Sequence, residues 1–97
     1  MSNKLPPIHP GEILREEFLQ PMAIATDSLA KNINVSTNIV DEIVAENRSI
    51  ETEIGLRLSK YFGLSEKFWL NLQLKYDLEV TKDKLEDKLD REIQPRS

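Results

Sequence analysis

Residues 26–45 read TDSLAKNINVSTNIVDEIVA, and their apolar spacing indicates two short helices joined by a tight turn. Ala30 is small where the two helices must cross closely, and Asn34 suits a turn position with a positive φ. Five apolar residues stand where the helices and the turn would meet a core: Leu29, Ile33, Val35, Val40 and Ile43. This pattern is typical of a DNA-reading helix-turn-helix, although two ordinary core helices with a short turn would also produce it.

Helical spacing continues on both sides of this motif, and β-branched alternation is nearly absent. The predicted helices cover residues 10–19, 26–33, 36–46, 52–62 and 65–80. Pro21 is expected to end the first helix, and Gly63 is expected at the end of the fourth. The charged residues 81–97 are either a solvated continuation of the fifth helix or a frayed arm. The prediction is therefore an all-α chain, with a five-helix domain over residues 1–80 and a charged C-terminal tail over 81–97.

Composition limits the possible functions. The 97 residues suffice for one compact domain, and a net charge of −4 excludes a globally basic nucleic-acid binder but not a local basic face. The chain has no cysteine and one histidine, which excludes a disulfide scaffold, a thiolate zinc site and a multi-histidine metal site. Three glycines cannot form a glycine-rich phosphate loop. Because no motif places a nucleophile, a base or a metal, we expect neither enzyme activity nor a cofactor.

The sequence also lacks the features of a membrane protein. No apolar run approaches the ~20 residues that a membrane helix needs, and the first ten residues contain no hydrophobic signal core. We therefore expect a cytoplasmic protein with no membrane partner. The histidine, His9, precedes the first predicted helix, where we expect it to cap or pack rather than to catalyse.

Two further blocks carry a family resemblance: IHPGEILREEFLQPM at residues 8–22 and IETEIGLRLSKYFGLSEKFWLNLQLKYDLEV at residues 50–80. They flank the motif in the right order, and together they resemble the HigA/VapI-type antitoxins, which are XRE-like helix-turn-helix proteins. The resemblance implies a five-helix, lambda-repressor-like fold that forms a homodimer. It also implies an antitoxin that neutralises a small HigB-like mRNA-cleaving toxin. Such a protein would repress its own operon by binding double-stranded, inverted-repeat operator DNA.

In such a fold the helix that begins at Ser36 would enter the major groove with its first residues against base edges. Asn38 could pair with adenine through two hydrogen bonds, or it could simply face solvent near the helix start. Ser36 is first an N-cap and could add a phosphate contact. Thr37 could touch a thymine methyl group or a phosphate.

Three more residues are candidates for phosphate contacts at the edges of the motif. Thr26 could donate to a phosphate, or it could only cap its helix. Lys31 and Arg48 are the nearest basic side chains, and Arg48 matches a family arginine just after the recognition helix. The alternative for Arg48 is a surface ion pair with Glu46 or Glu51.

The segment 36–48 departs from the family because it carries Asp41, Glu42 and Glu46 against one arginine. Carboxylates near phosphates are repulsive, although Asp41 or Glu42 could accept a hydrogen bond from cytosine N4. The family usually shows a Gly-Lys-type turn where Glu46 and Asn47 stand. Two alternatives therefore stay open: a stand-alone helix-turn-helix repressor without a toxin, and a protein-interaction module that has lost DNA affinity. A basic toxin would complement either an acidic antitoxin or an acidic interaction module.

Trp69 and Tyr76 are large amphipathic residues on the last predicted helix. They could pack in the core, but some of this surface is expected to be a dimer seam, and both residues are assigned to it. A two-fold dimer would hold two recognition helices about 34 Å apart, which is one turn of DNA.

Overall fold

A computed structural model of the chain describes residues 5–96, and within that range it contains six helices and no strand. The first helix, α1, consists of three consecutive segments, Pro10–Ile13, Leu14–Leu19 and Gln20–Met22. The others are α2 (Thr26–Ile33), α3 (Thr37–Val44), α4 (Thr52–Phe62), α5 (Phe68–Leu85) and α6 (Lys88–Glu92). The all-α prediction is confirmed, and its five helices correspond to α1–α5. The first four residues of the predicted domain and the last residue of the tail lie outside the described residues.

The turn between α2 and α3 forms as the local sequence predicts. Asn34 ends α2 in the left-handed conformation, with a φ of 61°, and its N–H donates to the Lys31 carbonyl at 3.2 Å. Ser36 caps α3, because its Oγ accepts a hydrogen bond from the N–H of Ile39 at 3.4 Å. The apolar faces of both helices are buried, at Leu29, Ala30, Ile33, Val40 and Ile43. The first turn of α3 therefore lies at the surface and is held in place by the buried faces of α2 and α3.

α2 begins at Thr26 as predicted, but Thr26 does not cap it. Ala25 occupies the N-cap position without a side-chain hydrogen bond, and Thr26 is the first helical residue. The carboxylate of Asp27 accepts from the N–H of Ser28 at 2.8 Å and so satisfies one of the free donors at this helix end. Thr26 is therefore not the cap of α2.

The first helix is longer than predicted, because Pro21 does not end it. The segment Leu14–Leu19 is π-helical, and the N–H of Gln20 donates to the carbonyl of Arg15, five residues back. Pro21 follows in the next α-helical segment, and the wider π-helical turn before it lets the helix continue although proline has no N–H to donate. Ala23 ends α1 in the left-handed conformation, with a φ of 54°.

α1 crosses α3 at a backbone contact that only glycine permits. A Cβ atom on Gly11 would lie 1.7 Å from the carbonyl oxygen of Ile43. His9 occupies the N-cap position of α1, and its Nδ1 accepts from the N–H of Gly11 at 2.8 Å, which confirms the predicted capping role. The imidazole also meets the ring of Tyr76 edge-on, with 4.9 Å between ring centroids. α1 thus links α3 to α5.

α4 and α5 close the core. Gly63 ends α4 with a left-handed φ of 69°, as predicted. α5 begins at Phe68 rather than at Ser65, because Ser65 belongs to a turn in which its carbonyl accepts from the N–H of Phe68. It continues past residue 80 as a single helix, so the charged segment starts as a solvated continuation of α5.

Candidate nucleic-acid interface

Three predicted DNA-contacting residues lie together at the start of α3. Ser36 and Asn38 are exposed and Thr37 is half-buried. The Ser36 hydroxyl is engaged in the cap described above. Within residues 5–96 the Asn38 amide has no hydrogen-bond partner, so its donor and acceptor are both available to a ligand. Asn38 is therefore the side chain of this turn best placed to read a base edge.

Thr26 and Lys31 lie on α2, but not on the same face. Thr26 is half-buried in the first turn, and Lys31 is exposed in the last turn. A spacing of five residues separates two side chains by roughly 140° around a helix. Within the described part of the chain Lys31 makes no ion pair, so its ammonium group is free to meet an anion.

Arg48 is already paired in the free protein. Its Nε donates to Oε1 of Glu42 at 2.7 Å, and its Nη1 lies 3.9 Å from Oε1 of Glu51. The hydrogen bond to Glu42 raises the pKa of Arg48 above its ordinary value. The predicted ion pair with Glu51 is present, whereas Glu46 pairs with another arginine. Asp41 is exposed on α3 and has no ion-pair partner among residues 5–96.

That other arginine, Arg15, was not predicted as part of the site. It lies on α1, and its Nη2 contacts Oε2 of Glu16 at 3.0 Å and Oε2 of Glu46 at 3.2 Å. Its Nη1 donates to the carbonyl of Val44, a free acceptor at the end of α3. Glu46 itself has a left-handed φ of 66°. The departure from the family's Gly-Lys-type turn at this position was the available signal, since glycine is the residue that favours this conformation.

The chain is 50% identical over 78 residues to virulence-associated protein I of Dichelobacter nodosus, a match that covers 80% of this chain and 72% of that protein. Its structure is similar to that of Pseudomonas aeruginosa antitoxin HigA with the higBA promoter, at 42% identity and a TM-score of 0.90. The chain belongs to the HigA/VapI family of helix-turn-helix antitoxins. The match to HigA covers 94% of this chain and 99% of the other.

A second solved structure agrees with this assignment. Antitoxin GraA in complex with its operator is 36% identical, with a TM-score of 0.90, and the match covers 100% of this chain and 98% of that one. A scan against protein-family models finds no match. The HigA/VapI family consists of antitoxins and transcription regulators and not of enzymes, which confirms the non-enzymatic prediction.

The two residues assigned to a dimer seam occupy different environments in this HigA/VapI-family fold. Trp69 is 0% exposed and packs against the rings of Phe18, Phe62 and Phe68. A fully buried side chain has no surface to offer a second chain, so Trp69 is a core residue, which corrects its assignment. Tyr76 is half-buried beside His9.

Residues 5–96 contain no group of three or more histidine, cysteine, aspartate or glutamate side chains placed to hold a metal ion. No helix among those residues is both long enough and apolar enough to cross a membrane.

Proposed function

We propose that the chain is an antitoxin that binds the operator DNA of its own operon, with the DNA-binding domain over residues 1–80 and the charged tail over 81–97. In this proposal α3 enters the major groove and Asn38 reads a base. The observation that carries it is the exposed, unengaged amide of Asn38 in the first turn of a capped helix. The similarity to HigA with its promoter and to GraA with its operator supports the same placement.

Operator binding is tested by fluorescence anisotropy with labelled DNA from upstream of the gene, at two salt concentrations. Asn38→Ala should weaken binding by about 1–3 kcal/mol, because a bidentate base contact is worth that much. Asn71→Ala is the matched control, since Asn71 is an exposed asparagine on α5, away from the motif. Equal affinity for scrambled DNA, or an unchanged affinity of Asn38→Ala, would contradict the proposal.

Apart from Asp41, the remaining motif residues are proposed to position the DNA rather than to specify its sequence. Thr26, Lys31 and Thr37 would contact phosphates, since a hydroxyl or an ammonium group at the edge of the motif can bond phosphate oxygens. Lys31→Ala should therefore weaken the binding of operator and scrambled DNA to the same degree, and it should make the affinity less dependent on salt. Asp41 would face the groove, where it could accept from cytosine N4.

We propose a small, basic, HigB-like mRNA-cleaving toxin as the protein partner. An enzyme that cleaves mRNA must hold phosphates and is expected to be basic, and a chain of net charge −4 complements it. The reading frame beside the gene should encode such a protein, whose growth arrest is relieved when this chain is co-expressed. A neighbouring frame of another kind, together with operator binding, would favour the stand-alone repressor instead. Both the operator and the mRNA would place this activity in the cytoplasm.

The protein-interaction module is the second candidate, and one observation favours it. Both arginines that border α3, Arg15 and Arg48, are paired with carboxylates, which reduces the positive charge offered to DNA. Under this alternative the toxin would bind normally, while the anisotropy experiment would show only nonspecific, salt-sensitive DNA binding. The two measurements together therefore separate the antitoxin with operator binding from the antitoxin-like module without it.

We also propose a homodimer through α5. Leu74 and Leu78 are 56% and 53% exposed, and a spacing of four residues puts both on one face of the helix. Tyr76 lies on the other side of α5, partly covered by His9, so the leucines supply more of the uncovered apolar surface. Leu78→Glu should halve the mass measured by light scattering. Leu56→Glu, which changes an exposed leucine on α4, should leave the mass unchanged.

A further inference from the structure

The contact between Glu42 and Arg48 lies at the edge of the surface that would face DNA. Glu42 is on α3, and Arg48 is in the loop that follows it. The 2.7 Å hydrogen bond and the longer contact with Glu51 give the guanidinium two carboxylate neighbours. Arg48 is 37% exposed and Glu42 is 50% exposed, so both side chains remain within reach of a ligand.

The loop that carries Arg48 is fixed to the core. Ile50, two residues further on, is buried, and its N–H donates to Oε1 of Gln73 at 2.7 Å. Gln73 is buried in turn and donates from Nε2 to Asp77 at 2.9 Å. Because the backbone near Arg48 is held in this way, the guanidinium can change partner only by turning its side chain.

We propose that Glu42 sets the affinity for DNA, because its carboxylate occupies Arg48 in the free protein where a DNA phosphate would otherwise bind. The inference rests on the proposed operator binding. Carboxylate and phosphate both accept from the guanidinium fork, so the two compete for the same donors. Glu42 competes more effectively than a phosphate from solution because it belongs to the same molecule as Arg48 and is therefore present at a high effective concentration.

Partner exchange lowers affinity in two ways. The phosphate must first displace Glu42 from Arg48, and the released carboxylate then remains close to the DNA backbone. Like charges brought together at an interface are repulsive, so the second effect adds to the first. A chain with a neutral residue at position 42 would therefore bind DNA more tightly than this one does.

The test is Glu42→Gln, which keeps the size of the side chain and removes its charge. At low salt this variant should bind operator and scrambled DNA about three- to tenfold more tightly. Its affinity should also fall more steeply with salt concentration, by up to about the contribution of one phosphate contact. Glu53→Gln is the matched control, because Glu53 pairs with Arg57 on α4 at the same 2.7 Å. That control should leave both affinities unchanged.

A second variant identifies the route of the effect. In an Arg48→Ala background the gain from Glu42→Gln should shrink to the part that comes from repulsion, because there is no guanidinium left to release. A gain of undiminished size would show that Glu42 acts only by repelling DNA and would overturn the proposal. An unchanged affinity, or a loss confined to the operator, would overturn it as well, the latter because Glu42 would then read a base.

Failure of the underlying function has a different signature. If neither the unmodified protein nor Glu42→Gln binds the upstream DNA above the level for scrambled DNA, operator binding itself fails, and this inference fails with it. If the unmodified protein binds its operator and Glu42→Gln binds equally well, only the inference fails.

Discussion

Replacing Gly11 by alanine tests how closely α1 is held against α3. The new Cβ would lie 1.7 Å from the carbonyl oxygen of Ile43 and 2.8 Å from its carbonyl carbon, whereas ordinary contact begins at 3.4 Å. Both atoms belong to the backbone of α3, so no side-chain rotation can relieve the overlap. The two helices must therefore move apart by about 1.7 Å, the difference between 3.4 and 1.7.

The expected cost combines overlap with lost contact. Overpacking costs about 1–3 kcal/mol where the surroundings can adjust. Moving α1 also opens a gap beside the buried Leu14 and Ile43, and a gap of about 0.5–1 Å already removes a quarter to a half of the contact attraction. The better helix propensity of alanine offsets up to about 1 kcal/mol. We therefore expect Gly11→Ala to lower the free energy of unfolding by about 3 kcal/mol.

The other two glycines provide controls of known geometry. A Cβ on Gly55 would meet only the flexible end of Leu70, at 2.7 Å, so Gly55→Ala should cost less than about 1 kcal/mol. Gly63 has open space around it but a φ of 69°, so Gly63→Ala should cost about 1 kcal/mol. Urea unfolding followed by Trp69 fluorescence, at one fixed protein concentration, measures all three. If Gly11→Ala is no more destabilising than Gly63→Ala, the close crossing of α1 and α3 does not exist in solution.

Substitutions at three further positions test local features. Burial lowers the pKa of His9, against the opposing carboxylates of Glu46 and Asp77, so the folded chain binds fewer protons than the unfolded one. The stability that His9 contributes is therefore present above about pH 6.5 and declines as the pH falls towards the lowered folded pKa. His9→Asn, which keeps a capping oxygen, should flatten the pH dependence of the urea midpoint in that window, and an unchanged slope would contradict this. Ser36→Ala should cost about 0.5–2 kcal/mol through loss of the cap on α3, while Ser36→Asp should retain the stability. Glu46→Gly should raise the free energy of unfolding by about 0.5 kcal/mol, because relief of the left-handed φ exceeds the loss of an exposed ion pair with Arg15. A fall in stability would show that the ion pair is the larger effect.

The central motif could be predicted because its determinants act over a few residues. Asn34 and Ser36 signal a helix end and a helix start through their own backbone and side-chain chemistry. The spacing of Leu29 and Ile33 on α2, and of Val40 and Ile43 on α3, fixes which side of each helix is apolar, and the same sides are buried.

Features that depend on distant residues could not be predicted in this way. Trp69 stands next to an apolar stripe in the sequence, but one of the rings packed against it belongs to Phe18, a distant residue on α1. The contact between Arg15 and Glu46 joins residues 31 positions apart, which no local spacing encodes. Proline usually breaks a helix, but the π-helical segment before Pro21 lets the helix continue to Met22.

The charge arrangement around α3 has a consequence for how the operator would be held. Arg15 and Arg48 are both paired with carboxylates, so few phosphates would be neutralised by each copy of the chain, and the salt dependence per copy should be shallow. Base contacts from one Asn38 supply at most a few kcal/mol. Joining two such helices in a dimer makes the second binding event intramolecular, which can raise avidity by about 10²–10⁴. Leu78→Glu should therefore reduce operator affinity far more than Lys31→Ala does, although Leu78 would not touch DNA. Equal operator affinity of the monomeric variant would show that each α3 binds its half-site independently.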